Sequence, residues 1–340
     1  MKNALLNRLI KQSILAVGVG TVSLFAVTVQ AEINPAVVYD KAGKFDKSFN
    51  EMVFGGVKRF MADTGMTVRE FEPTNEAQVE QGLKKLAQRG SSPIVAVGFA
   101  QANAVSAAAQ AYPNVKFTLI DMVVPEPNVQ NVVFKEHEGS FLVGVLAAMK
   151  SNTNKVGFIG GMDIPLISKF ACGYEQGAKY QNSDIEILQN MTGSTPSAWN
   201  NPSKGGELAR SQFEAGADVI FAAAGGTGIG VYQVAADMGK YAIGVDSNQN
   251  HLQPGTMLTS MLKRVDNAAY NSYKAAMDNV WVPGIQAMGL KEGGVDWALD
   301  EHNGALITNK MEARANAVKA KIIAGEIVVH DYMTDNACTY

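Results

Sequence analysis

From Asn34 onward, short apolar runs alternate with stretches of helical periodicity, and this alternation constrains the fold of the 340-residue chain more than any other feature. Apolar runs bounded by turn residues read as strands, and apolar positions recurring every three or four residues read as amphipathic helices. The runs predict strands at 36–40, 67–71, 94–97, 116–120, 156–159, 184–189, 219–222 and 242–245. The periodic stretches predict helices including 50–64, 76–89, 139–150, 170–181, 205–215 and 231–238. Strand and helix in alternation make βα units, so the expected class is α/β with doubly wound parallel sheets. Domains usually run about 100 to 200 residues, and a chain of this length is comfortable for two lobes.

The first residues break the pattern. Lys2, Arg8 and Lys11 precede a nearly uncharged stretch, 13–29, which closes on Val29-Gln30-Ala31. This reads as a signal peptide at 1–31, cleaved after Ala31. Gly18 and Gly20 interrupt the stretch, which falls short of the roughly 20 apolar residues of a membrane span; an uncleaved anchor is the alternative. No cysteine follows it, so no lipid anchor is expected, and the mature protein should be periplasmic, free to diffuse and monomeric. Cys172 and Cys338 are the only cysteines, and an oxidising compartment lets such a pair bridge and pin the C-terminal tail. Two unpaired thiols are equally compatible with sequence, which does not give the separation of their Cα atoms. Hydrophobic residues make up 47%, charged residues 18%, and the net charge is −3: an ordinary globular composition, with no surface marked for nucleic acid or membrane.

Several strands stop at a polar residue or glycine: Asp40, Gly98, Asp121 and Asp246. In open α/β sheets the ligand crevice lies beyond the carboxyl ends of the strands, which makes three aspartates candidates for one site. In the connection 40–50, Ser48 or Asn50 can cap the following helix with Phe49 as a hydrophobic staple, or Phe49 can serve as a stacking platform. The glycine-rich turn at 222–230, with Asp246 twenty residues after Gly226, has the flavour of a dinucleotide fingerprint. Its spacing is G-G-x-G-x-G and it stands late in the chain, so a turn bringing the backbone of Gly225 and Gly226 close to a ligand is the better reading. His137, His251, His302 and His330 lack metal-ligand spacing, no serine stands in a nucleophile elbow, and Asp163 reads as a turn before Pro165. Neither a metal, a cofactor nor an enzymatic activity is expected.

These pieces resemble the basic membrane protein (BMP) family of ABC-transporter solute-binding proteins, which includes the purine nucleoside receptors. The resemblance rests on Asp46-Lys-Ser-Phe-Asn50, on the stretch from Glu138 to Lys150, on Lys155 to Pro165, and on Phe170 with Gly173-Tyr174. Ala224-Gly-Gly-Thr-Gly228 and Lys263-Arg-Val-Asp266 complete it. It implies a type I periplasmic binding fold whose lobes close on a nucleoside, purine rather than pyrimidine, for delivery to ABC permease subunits. The implied N-terminal lobe is 32–136 plus about 255–285, and the C-terminal lobe 137–254 plus about 286–340. Carried over, Phe49 and Trp199 resemble the aromatic walls, and Asp40 and Asn50 the readers of the base edge. Asp121, Asp246 and Lys263 resemble the ribose set, with backbone from Gly225 or Gly226. The family commonly has phenylalanine where Trp199 stands, and Phe170 is the alternative wall if Trp199 faces solvent.

The chemistry of these residues agrees. Stacking on an aromatic contributes roughly 1 to 3 kcal/mol per base and tolerates any base, leaving selectivity to edge contacts. Ionised carboxylates accept from vicinal hydroxyls. Three aspartates against one lysine repel phosphate, which favours nucleosides over nucleotides. Two other readings stay open: the same fold holding a sugar or signalling molecule for a membrane sensor, and an exported nucleoside-processing or dinucleotide-dependent enzyme.

Overall fold

The computed structural model describes residues 33–338; the signal peptide expected at 1–31 and its cleavage point lie outside them. The chain opens with β1 (Ala36–Val38), α1 (Phe49–Thr64), β2 (Arg69–Phe71), α2 (Glu76–Gln88), β3 (Ile94–Val97), α3 (Ala102–Ala111), β4 (Phe117–Ile120) and β5 (Val129–Phe134). It crosses into a second lobe with α4 (Glu136–Lys150), β6 (Lys155–Met162), α5 (Pro165–Gln181), β7 (Glu186–Gly193), α6 (Pro202–Glu214), β8 (Val219–Ala223), α7 (Gly228–Asp237), β9 (Tyr241–Asp246) and β10 (Met257–Lys263). It returns to the first lobe for α8 (Val265–Met277) and β11 (Gly284–Met288), then crosses again into β12 (Val295–Trp297) and α9 (Asn309–Ile323).

Two six-stranded sheets result, ordered β11-β5-β4-β3-β1-β2 and β12-β10-β9-β8-β6-β7. All neighbours are parallel except β10 and β12. Every residue of β1, β3, β4 and β8 is buried, as expected of strands covered by helices on both faces. Strand order reverses at β1/β3 in one sheet and β6/β8 in the other, the switch points at which α/β sheets open a crevice. The registers Val97↔Ile120 and Leu262↔Asp246 bring the ends of neighbouring strands level, so Asp121, Asp246 and Lys263 all emerge at a sheet's carboxyl edge.

Helix α1 buries Asn50, Val53, Gly56, Val57 and Phe60, one stripe at helical spacing, and stops at Gly65, whose φ of 71° suits glycine. That stripe meets α8 so closely that a Cβ on Gly56 collides with the backbone of Asp266. Placing 255–285 in the N-terminal lobe is corrected in part: β10 pairs with β9 and β12 in the second sheet, and the chain passes back to the first lobe only after Lys263. Strands β5, β10, β11 and β12 and helices α3, α8 and α9 fall where no element was named. Helices α4 and α5 begin earlier than the expected 139 and 170. Cys172 and Cys338 are bridged, with Cα atoms 5.4 Å apart, which ties the C-terminal segment to α5.

Candidate functional site

A cleft with about 630 Å³ of unfilled space, part of it open to solvent, lies between the carboxyl edges of the two sheets. The first lobe lines it with Asp40, Asp46, Phe49, Asn50, Gly98, Phe99 and Asp121. The second contributes Leu166, Ile167, Phe170, Trp199, Gly225, Asp246 and Lys263. Its rim is built from left-handed backbone: Gly98 after β3, Asp121 after β4, Gly225 beyond β8 and Asp246 ending β9 have φ of 99°, 73°, 55° and 63°. Aspartate tolerates that region better than most residues, yet a non-glycine residue there is strained by of order 1–3 kcal/mol, and such strain concentrates at functional sites.

The connection 40–50 is organised by Asp46. Its carboxylate accepts the N–H groups of Ser48 (2.9 Å), Asn50 (2.9 Å) and Glu51 (3.1 Å), satisfying donors at the start of α1. Capping by Ser48 or Asn50 is therefore corrected to capping by Asp46. The Asn50 side chain accepts from the Asp40 N–H at 3.0 Å and donates to Asp46 Oδ2 at 3.0 Å, so this buried amide fixes both aspartates. The Ser48 hydroxyl, freed from capping, donates to Asp246 Oδ2 in the other lobe at 2.6 Å. Beside it the Lys47 carbonyl accepts from Ser247 Oγ at 3.1 Å and Gln249 Nε2 at 2.8 Å. These contacts span the cleft and hold the lobes closed.

Lys263 is the electrostatic centre. Its side chain is 2% exposed, and its ammonium lies 2.7 Å from Asp121 Oδ2 and 2.9 Å from Glu136 Oε1. It stands 5.3 Å from the centre of the Phe49 ring, 5.2 Å from that of Phe134 and 5.6 Å from that of Phe170, within cation–π range of each. Burial alone would lower its pKa, but Asp121, Glu136 and Asp246 outweigh burial and keep it charged. Burial pushes the Asp246 carboxyl up to about 6, against the pull of Lys263 and Ser48. Burial likewise raises Asp121, opposed chiefly by Lys263, and Asp121 Oδ1 is buried without a protein donor. A buried, unpaired acceptor beside an unfilled cleft is the arrangement that a ligand hydroxyl or amine completes.

Trp199, in the short 3-10 turn Pro196–Trp199, lines the cleft and is half-buried; its ring rests on Gly161, where a Cβ would run into it. Phe170 on α5 lines the cleft as well, so the second lobe presents two aromatics where one was expected. Gly225 lines the cleft; Gly226 is buried and does not line it, and a Cβ there would approach the Trp199 carbonyl at 3.4 Å and the Asp46 carbonyl at 3.7 Å. Neither Asp46, which opens one of the motifs that carry the resemblance, nor Glu136 is given a role at the site by the sequence. Asp46 carried a visible signal, an aspartate two residues before Ser48 and four before Asn50. Glu136 carried none that separates it from Glu138, since acids in a first helical turn are ordinary.

The profile of the Bmp family, described as ABC transporter substrate-binding protein PnrA-like, matches residues 33–332. The ABC transporter nucleoside-binding protein BmpA of Lactococcus lactis is 30% identical over 326 residues, covering 88% of this chain and 90% of that protein. Basic membrane protein A2 of Borrelia garinii is 33% identical over 294 residues, 84% of each chain. Among solved structures, an ABC transporter solute-binding protein from Aeropyrum pernix superposes with a TM-score of 0.79 at 29% identity, covering 88% of this chain and 94% of that one. The chain accordingly belongs to the Bmp family of ABC-transporter substrate-binding proteins, with the two-lobed type I periplasmic binding fold.

Proposed function

We propose that this protein captures an unphosphorylated nucleoside, a purine nucleoside by preference, in the periplasm and hands it to an ABC importer. The observation that carries the reading is the convergence of Asp121, Asp246 and Lys263 with Phe49, Trp199 and Phe170 on one cleft. Aromatic faces suit a base, and buried carboxylates beside an ammonium suit the vicinal hydroxyls of a ribose. Asp40 is the reader of the base edge, its Oδ1 accepting from the Ala42 N–H at 2.7 Å and from Asn50 Nδ2 at 3.4 Å, so that Asn50, its amide already engaged, helps to orient that aspartate. The nucleoside-binding relative supports the same class of ligand. Export with cleavage after Ala31 and free diffusion in the periplasm complete the proposal.

Binding works by exchange. The ligand's hydroxyls take over acceptors that are otherwise desolvated, and closure of Ser48 and Lys47 onto Asp246, Ser247 and Gln249 excludes water and strengthens the bonds that remain. Calorimetry with adenosine, guanosine, inosine and cytidine tests this. We expect binding with purines ahead of cytidine, and a tenfold or greater loss, about 1.4 kcal/mol, in Phe49→Ala. Absence of binding to all four at up to roughly millimolar concentration, near −4 kcal/mol, rejects the proposal.

A further inference from the structure

Behind Lys263, outside the cleft lining, lies a second carboxylate. Glu136, the first residue of α4, is 1% exposed and does not line the cleft. Its two oxygens are divided between two lysines: Oε1 lies 2.9 Å from Lys263, and Oε2 lies 2.9 Å from Lys169. Lys169 also donates to the Phe134 carbonyl at 2.7 Å and stands 3.6 Å from Asp331 in the C-terminal segment. The charges run in a chain, Asp121, Lys263, Glu136, Lys169, Asp331, buried as far as Lys169 and half-exposed at Asp331, through the junction where β5 passes into α4 and β10 passes into α8.

We propose that Glu136 is the positioning and specificity-determining residue of the cleft: it aims Lys263 at the sugar and cancels its charge, so that the site takes a neutral nucleoside and turns away its 5′-monophosphate. The inference rests on the nucleoside reading above and deepens it. A lone buried lysine is an anion trap, because an ammonium stripped of water gains most from a phosphate. Here the ammonium is matched by Asp121 and Glu136 before any ligand arrives, with Asp246 adding a third negative charge nearby. Burial alone would raise the Glu136 carboxyl, but Lys263 and Lys169 hold it well below the usual carboxylate range, so it is ionised at neutral pH. One unit charge felt over about 10 Å at an effective dielectric of about 20 changes the affinity of an anion more than tenfold. Glu136 needs no contact with the ligand to exert that effect.

Two substitutions of opposite sign separate this role from mere structural support. Glu136→Gln removes a negative charge and keeps the shape; Lys169→Met removes a positive charge on the far side of the same carboxylate. Each variant and the parent protein are titrated with guanosine, adenosine and their 5′-monophosphates, with melting curves to confirm folding. We expect the preference for nucleoside over monophosphate to shrink at least about tenfold in Glu136→Gln and to widen in Lys169→Met. Equal weakening of both ligands, or a shift of the same sign in both variants, overturns the inference. If Glu136→Gln does not fold, Lys169→Met decides: an unchanged or narrowed preference there is equally fatal. Parent protein that binds no nucleoside at all defeats the underlying reading instead, which is a separate and recognisable result.

Discussion

Asp246 carries two burdens, a left-handed backbone with φ of 63° and a carboxyl whose burial pushes its pKa up to about 6. Both make sense if the side chain is spent on a ligand. Only the ionised form accepts a hydroxyl at both oxygens, so affinity for a nucleoside should fall as pH drops through about 6, by up to tenfold per unit. The sign for stability is the reverse. A folded pKa above the unfolded value, near 3.9, means that the folded state binds more protons between the two, so this group makes the ligand-free protein more stable as pH falls through 6 toward 4. Asp121 and Asp46, also raised by burial, act in the same direction. Calorimetry at about pH 5 and about pH 7.5 checks the first part, and Asp246→Asn should weaken binding at pH 7.5 and flatten the dependence. An affinity that is flat across this window removes Asp246 from the ligand's hydrogen bonds.

At the scale of elements, the first lobe's connection 40–50 and the second lobe's segment 246–249 form the latch. Gln249 is fixed from behind: its Oε1 accepts from Tyr232 Oη at 2.7 Å and from the Val245 N–H at 2.8 Å, which leaves Nε2 for the Lys47 carbonyl. Removing Gln249 orphans those two donors and confuses the result, whereas Ser247→Ala removes only the second donor to Lys47. Losing one hydrogen bond of about 0.5–1.5 kcal/mol should speed ligand release roughly twofold to tenfold, read by stopped-flow fluorescence, with little change in melting temperature. An unchanged release rate means that closure does not depend on this contact. Such contacts are invisible in sequence because they join residues some 200 positions apart. The strands that sequence reading missed have a related cause. Strand β5 buries Gln130 and Asn131, and β10 buries Thr259, Ser260 and Lys263, so neither shows an uninterrupted apolar run. Their polar groups are satisfied across the fold, Asn131 by Val124 and Thr259 by the Ala298 carbonyl. The central strands β1, β3, β4, β8 and β9, apolar throughout or nearly so, were legible, and with β1, β4 and β9 the aspartates at their ends.

For the molecule as a whole, the chain passes between the lobes at 134–136, 263–265 and 288–295, and the buried charges gather at the first two of these junctions. The C-terminal segment is part of that arrangement. The Gln176 amide exchanges hydrogen bonds with the backbone of His330, Asp331 reaches Lys169, and the Cys172–Cys338 bridge fastens the end of the segment to α5. The bridge joins positions 166 residues apart, and closing so long a loop removes much of the unfolded chain's freedom, an effect of about 5 kcal/mol in the entropic limit. Partial structure in the unfolded state lowers the measured value, so Cys338→Ser with Cys172→Ser should cost about 2–5 kcal/mol by urea unfolding of oxidised protein. The double variant keeps every residue that lines the cleft, and its nucleoside affinity under native conditions should stay within about twofold of the parent. An unchanged urea midpoint shows that the bridge contributes nothing to folding. A large loss of affinity in a folded double variant shows instead that the tail, through Asp331 and Lys169, reaches the cleft along the charged chain.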